Sequence, residues 1–208
     1  WDPHDAIVAG ASLRIEDVFV RDFRGVPSVN VSEFSTVGPL EESVAVAENA
    51  RRLTVREAVE SGGMFDVEVV GNVIDVRDGS GLIERCPECG RVAQNGQCRT
   101  HGDVEAEDDL RVKAILDDGT GALTAVLGRD LTEDVYGGTL EDAREAAREA
   151  MDKEVVAEAI AETIGGRAYR VRGTLSVDDY GANLDASAFE PVTDDPATAA
   201  RELLAAAQ

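Results

Sequence analysis

Residues 86–102 read CPECGRVAQNGQCRTHG, and the rest of the chain is organised around them. Cys86, Cys89, Cys98 and His101 form the pattern Cys-x2-Cys-x8-Cys-x2-His. That pattern takes all 3 cysteines and one of the 2 histidines. Two short ligand pairs on tight turns, facing each other across a loop, are what a tetrahedral zinc ion needs. Pro87 and Gly90 suit the first turn, and Gly96 and Gly102 the second. Four protein ligands leave no position for a water, so a Zn2+ held there is structural and not catalytic. The alternative is a disulfide with a spare thiol. The other histidine, His4, stands beside Pro3 and reads as a surface or cap residue.

Strand patterns flank this loop on both sides. Residues 65–76 (FDVEVVGNVIDV) read as a strand, with Gly71 as a bulge or bend. Residues 110–116 (LRVKAIL) and 122–127 (ALTAVL) read as two more, joined by a hairpin turn at DDGTG. Residues 139–164 show one helical period, with Leu140, Ala147, Met151, Val155, Ala159 and Ile160 expected to face the core. Thr139 and Asp142 begin it as a capping box, and Gly165-Gly166 end it. Residues 169–177 (YRVRGTLSV) and 184–189 (LDASAF) are two further strands. Five strands with a long helix between the third and fourth is the order of an OB-fold, a five-stranded Greek-key barrel. The fold class is therefore mainly β, with the zinc-binding loop inserted in the first hairpin and the helix plugging the barrel bottom.

The ends divide from this unit. Residues 13–20 and 29–31 predict a β-hairpin with too little around it to bury both faces. Residues 1–38 are read as the C-terminal part of an upstream OB-fold; a small hairpin packing on the next domain is the alternative. Residues 39–53 are read as a linker or weak helix. Thr54 to Glu57 is a capping box, and Gly62-Gly63 close a short helix. The zinc-containing domain runs over 54–192. Residues 193–208 form a C-terminal helix capped by Asp195-Pro196.

Composition bounds the function. The net charge is −22, from 42 acidic and 20 basic side chains, a surface that repels nucleic acid at low salt. Acidic, lysine-poor, Ala- and Val-rich chains resemble proteins of salt-loving microbes. In molar salt the Debye length falls to about 3 Å, so only local contacts count. No apolar run approaches the ~20 residues of a membrane span. The polar start has no basic n-region, so no signal peptide is expected. Cysteines confined to one metal motif fit a reducing, cytoplasmic compartment. No nucleophile with a partner base and no Lys-terminated phosphate loop is present, so no enzyme is expected.

The segments RCPECGRVAQNGQCRTHG, DLRVKAILDDGTGALTAVL and GRAYRVRGTLSVDDYG resemble haloarchaeal replication protein A, over residues 54–192. The stretch LRIEDVFVRDFRGVPSVNV looks like the last two strands of a preceding OB-fold of that family. The resemblance implies single-stranded DNA binding in replication, repair and recombination, and chromosome association. It also implies replication and repair proteins, and further subunits of the family, as partners. An assembly subunit of a replication complex and an RNA-binding zinc OB-fold are the alternatives.

An OB-fold groove lies across its second and third strands, flanked by the loops joining strands one to two and four to five. Aromatics there stack on bases. Tyr180, in the second of those loops, is the favoured platform, and Phe23 and Phe19 are candidates in the N-terminal piece. Tyr136 is a further choice; Tyr169 and Phe189 have core roles as alternatives. Arg111 and Lys113 share one face of strand two, Arg129 follows strand three, and Arg170 and Arg172 share one face of strand four. With Arg21 and Arg24, they are the expected phosphate contacts. For each, a solvated arginine paired with an acid is the alternative. Arg91 and Arg99 either add contacts or hold the zinc loop.

Overall fold

A computed structural model describes residues 7–23, 26–44, 50–179 and 181–193. The expected first hairpin is broken into two ladders. β1 (Leu13–Glu16) pairs with β4 (Thr36–Pro39), and β2 (Phe19–Phe23) pairs with β3 (Val26–Asn30), all antiparallel. Asp17 stands at φ 55 between β1 and β2. Ser35 Oγ donates to the Asp17 carbonyl at 2.8 Å, so the turn at 32–35 caps the kink. Phe19, Val20, Val29 and Phe34 are exposed. Within the expected linker, β5 (Arg51–Arg52) is a short strand that pairs in parallel with the barrel. The expected C-terminal helix lies outside the described residues beyond 193.

Helix α1 (Val55–Glu60) carries the predicted capping box: the Thr54 side chain accepts from Glu57 N–H, and Glu57 accepts from Thr54 N–H at 2.9 Å. Then come β6 (Gly63–Val76), β7 (Gly81–Arg85), β8 (Val92–Ala93), β9 (Gln97–Cys98), β10 (Gly102–Asp103), β11 (Glu107–Asp117) and β12 (Ala122–Leu127). Helices α2 (Arg129–Tyr136), α3 (Leu140–Ala150) and α4 (Glu154–Ile164) lead to β13 (Ala168–Asp178) and β14 (Gly181–Pro191). β6 pairs with β11, β11 with β12, β12 in parallel with β14, β14 with β13, and β13 with β6. That circuit closes a five-stranded OB barrel, as the strand order predicts. Alternation fills it. Leu110, Val112, Ala114 and Leu116 of β11 are fully buried, against Val69, Val73, Leu127, Val171 and Leu184.

Two local readings are corrected. Gly71 makes no bulge; a Cβ there would stand 2.8 Å from the Asp117 carbonyl oxygen, so its role is close strand approach. The register shift falls opposite Ile115/Leu116, where Ile74 is passed over. The helix between strands three and four is not continuous. Met151 adopts φ 54 and is 93% exposed, and the Asp152 carboxylate accepts from Glu154 N–H at 2.9 Å to restart the chain as α4. The break rephases the core face to Ala143, Ala147, Val156, Ile160 and Ile164, leaving Ala159 outside. The capping box at Thr139 and Asp142 is present in full.

Candidate metal centre and nucleic-acid face

The loop between β7 and β11 brings the four motif residues together. Their ligand atoms all lie within 4.8 Å of one another. Cys86 Sγ is 3.3 Å from His101 Nδ1, Cys98 Sγ is 3.8 Å from the same nitrogen, and Cys89 Sγ is 3.7 Å from Cys98 Sγ. With metal–sulfur bonds of about 2.3 Å, a tetrahedron has edges of about 3.7 Å, so the donor set fits zinc. A disulfide needs about 2.05 Å between sulfurs; the three cysteines are free thiols in this structure. Cys86 and Cys98 are buried, whereas Cys89 and His101 reach the surface.

The backbone builds this cup. Gly90 N–H donates to the Cys86 carbonyl and Cys86 N–H to the Arg91 carbonyl, each at 2.8 Å, which closes the first turn. Asn95 and Gly96 both have positive φ, and Gln94 and Gln97 exchange 3.0 Å backbone bonds across them, the two-residue turn that Asn-Gly favours. The backbone N–H groups of Thr100 and His101 point at the Cys98 sulfur and lower its pKa to about 6, toward the thiolate a metal binds. Contact with Cys86 raises the pKa of His101, whose outer Nε2 lies 3.9 Å from the Glu88 carboxylate. Arg91 Nη1 donates to Thr100 Oγ1 at 2.8 Å, so Arg91 clips the two turns together.

The base of the loop is tied to the barrel. Arg85 Nη1 donates to the Gly90 carbonyl at 2.9 Å, and its Nε binds the Asp109 carboxylate. Arg129, the first residue of α2, binds the other Asp109 oxygen at 2.6 Å. Arg129 therefore belongs to an ion pair, although its side chain is 48% exposed.

On β11 the outer face carries Arg111, Lys113 and Ile115, with Thr124 and Val126 beside them on β12. Arg111 hydrogen-bonds the Gly79 carbonyl at 2.7 Å through Nη2. Burial first, and then Arg85, lowers the pKa of Arg111. Burial, then Arg111 and Arg77, lowers that of Lys113. Among the described residues Arg77, Arg111 and Lys113 form no ion pair. Like charges thus crowd one spot of a chain whose net charge is −22. Sequence reading missed Arg77 and Arg85; both border segments whose roles were assigned to a turn and to the metal motif.

The other expected contacts fall elsewhere. Arg172 makes a two-pronged pair with Asp66 at 2.6 and 2.8 Å, and Arg170 lies 3.6 Å from Glu68, both across the β13–β6 ladder. Tyr169 and Phe189 are buried and stack on each other, with ring centroids 4.2 Å apart and planes at 19°. Tyr136 is partly buried against the core. Arg21 is exposed on β2, opposite Ser28. Arg24, Tyr180 and the side chain of Phe23 lie outside the described residues. Two exposed aromatics were not anticipated, Phe34 at 75% and Phe65 at 74%.

Comparison with protein-family models finds no match, and neither does comparison with curated proteins. Among solved structures, the chain is similar to a chain of a replication protein A heterotrimer bound to single-stranded DNA. The TM-score is 0.53 at 18% identity, covering 93% of this chain and 54% of that one. This chain thus spans about half the length of that heterotrimer chain. A likeness to yeast replication protein A bound to single-stranded DNA has a TM-score of 0.45 at 19% identity, covering 76% and 98%. The second OB-fold domain of replication protein A from Methanococcus maripaludis gives 0.34 at 12%, covering 62% and 86%. At such identities the first likeness speaks for the fold: this is an OB-fold chain.

Proposed function

We propose that this chain binds single-stranded DNA across the outer face of β11 and β12, and that it acts in DNA replication, repair and recombination as a haloarchaeal replication protein A. The observation that carries this reading is the cluster of Arg111 and Lys113 on β11, one of the two strands where OB-folds hold their ligands, with Arg77 beside them just past the end of β6, none of the three in an ion pair among the described residues. Zn2+ on Cys86, Cys89, Cys98 and His101 supplies folding energy to a loop with little apolar content, and no chemistry. Arg111 and Lys113 bind phosphates, Arg77 joins them, and Tyr180 and Phe23 supply stacking. Arg170, Arg172 and Arg129 contribute only where DNA displaces or shares their acids. Arg21 and Arg24 act in the N-terminal piece. Residues 1–38 are read as the end of a preceding barrel, 54–192 as the zinc-containing barrel and 193–208 as a C-terminal helix. The exposed Phe19, Val20 and Val29 support the first of these.

Those same exposed apolar residues favour a second reading, an assembly subunit that docks another protein of the replication complex. Among the described residues no helix is long and apolar enough to cross a membrane. The deciding experiment is fluorescence-anisotropy titration of a labelled ~30-nucleotide oligo-dT in molar KCl, with duplex and RNA competitors. Binding that duplex and RNA fail to compete supports the single-strand reading. Absence of binding refutes it and leaves the assembly reading.

A further inference from the structure

Asp109 is the one charged side chain among the buried described residues, at 7% exposure. A buried carboxylate is costly unless it is paired. Here two arginines pair with it, and each comes from a different element. Arg129 is the first residue of α2 and binds Oδ1 at 2.6 Å. Arg85 ends β7, binds Oδ2, and turns its Nη1 to the Gly90 carbonyl at 2.9 Å. Gly90 follows Cys89 directly, inside the turn that presents Cys86 and Cys89. Asp109 itself lies on β11, two residues before Arg111 and on the same face, opposite Ile83 of β7. One carboxylate thus joins the metal loop, the groove strand and the start of α2.

We infer that Asp109 is a positioning residue: it holds Arg85 and Arg129 at the metal-loop end of the groove face and, through Arg85, fixes the turn that carries Cys86 and Cys89. The DNA half of this inference rests on the single-strand reading; the metal half stands on the loop geometry alone.

The two explanations of Asp109 differ in sign. If it is only a negative charge beside Arg111, Asp109→Asn brings a polyanion closer and tightens DNA binding. If it positions two arginines, the same change weakens DNA binding and loosens the metal. Asp108→Asn is the charge control, because Asp108 pairs instead with Arg144 of α3 at 2.8 Å. The full chain is loaded with zinc, and two rates or affinities are read: zinc release to a chromogenic chelator, and oligo-dT affinity at fixed KCl. For Asp109→Asn, release is expected to be about tenfold faster or more, as for other residues that orient metal ligands. Its DNA affinity is expected to fall below those of both the parent chain and Asp108→Asn. Arg85→Gln should speed zinc release, whereas Arg129→Gln should leave release unchanged, because Arg129 reaches Asp109 without touching the metal loop.

Zinc release at the parental rate from Asp109→Asn, or DNA affinity raised as far as in Asp108→Asn, overturns the inference. If Asp109→Asn does not fold, equal zinc release from Arg85→Gln and Arg129→Gln overturns it instead. If the parent chain does not bind oligo-dT, the single-strand reading fails, and zinc release alone decides the role of Asp109.

Discussion

Replacing Arg111 with alanine should change the salt dependence of DNA binding, not just its strength. For single strands the slope of log K against log salt is about −0.7 for each phosphate contact. Arg111 is half-buried, forms no ion pair among the described residues and is crowded by Arg85, so no salt bridge has to break before DNA reaches it. Arg111→Ala should therefore make the slope shallower by about 0.7. Between about 0.5 M and 2 M KCl, the affinity advantage of the parent chain over the variant should then shrink about 2.6-fold, which is four raised to the power 0.7. Arg172 supplies the contrast. Its guanidinium is already held by Asp66 through two bonds, so Arg172→Ala should leave the slope unchanged. Anisotropy titrations of oligo-dT at four or more KCl concentrations measure both slopes. Equal changes for Arg111→Ala and Arg172→Ala would refute the reasoning, because they would mean that ion pairing in the free chain does not sort the groove cations.

Three further outcomes are expected. Cys89→Ser should abolish stoichiometric zinc and lower the melting temperature by at least about 5 °C, with DNA binding weakened as a consequence; zinc lost at unchanged melting refutes a stabilising metal. Met151→Gly should raise stability by roughly 0.5–1 kcal/mol, since the residue sits at φ 54, whereas glycine inside a continuous helix would cost about 1 kcal/mol; the direction of the urea midpoint shift decides. The carboxyl pKa of Asp142 is lowered by its bonds from the Thr139 side chain and backbone, and that of Glu57 by those from Thr54. Because the folded values lie below the unfolded ones, the caps stabilise fully above about pH 5 and lose that contribution as pH falls through the lowered values. Urea midpoints measured from pH 7 down to 3 should therefore drop less in Thr139→Ala than in the parent chain.

The parts of the structure that were legible in the sequence are those with local causes. The clustered Cys86, Cys89, Cys98 and His101 stand in two pairs three residues apart, and the capping boxes span four residues, so both patterns lie within short stretches of sequence. Alternation exposed the barrel strands because Leu110, Val112, Ala114 and Leu116 face one way and Arg111, Lys113 and Ile115 the other. The helix break was hidden for a specific reason. Ala147, Met151, Val155 and Ala159 keep an unbroken four-residue spacing, so periodicity runs straight through a residue whose backbone has turned left-handed. The fate of the arginines was hidden because it depends on register. Arg170 and Arg172 meet Glu68 and Asp66 only once β13 is laid antiparallel on β6, a pairing of segments about a hundred residues apart.

That register also bears on how the face works. The aromatics of strands four and five, Tyr169 and Phe189, are spent on each other in the core. Among the described residues the outer face of β11 and β12 presents Arg111, Lys113, Ile115 and Val126, with no aromatic ring. Stacking on this face would then have to come from the flanking loops, and the strands themselves offer charge and aliphatic surface. In molar salt a Debye length near 3 Å erases the repulsion of the distant acids while leaving direct phosphate contacts in place. A chain this acidic can therefore hold a polyanion only through cations that touch it, which is why three unpaired basic residues outweigh the overall charge in fixing where a strand would lie.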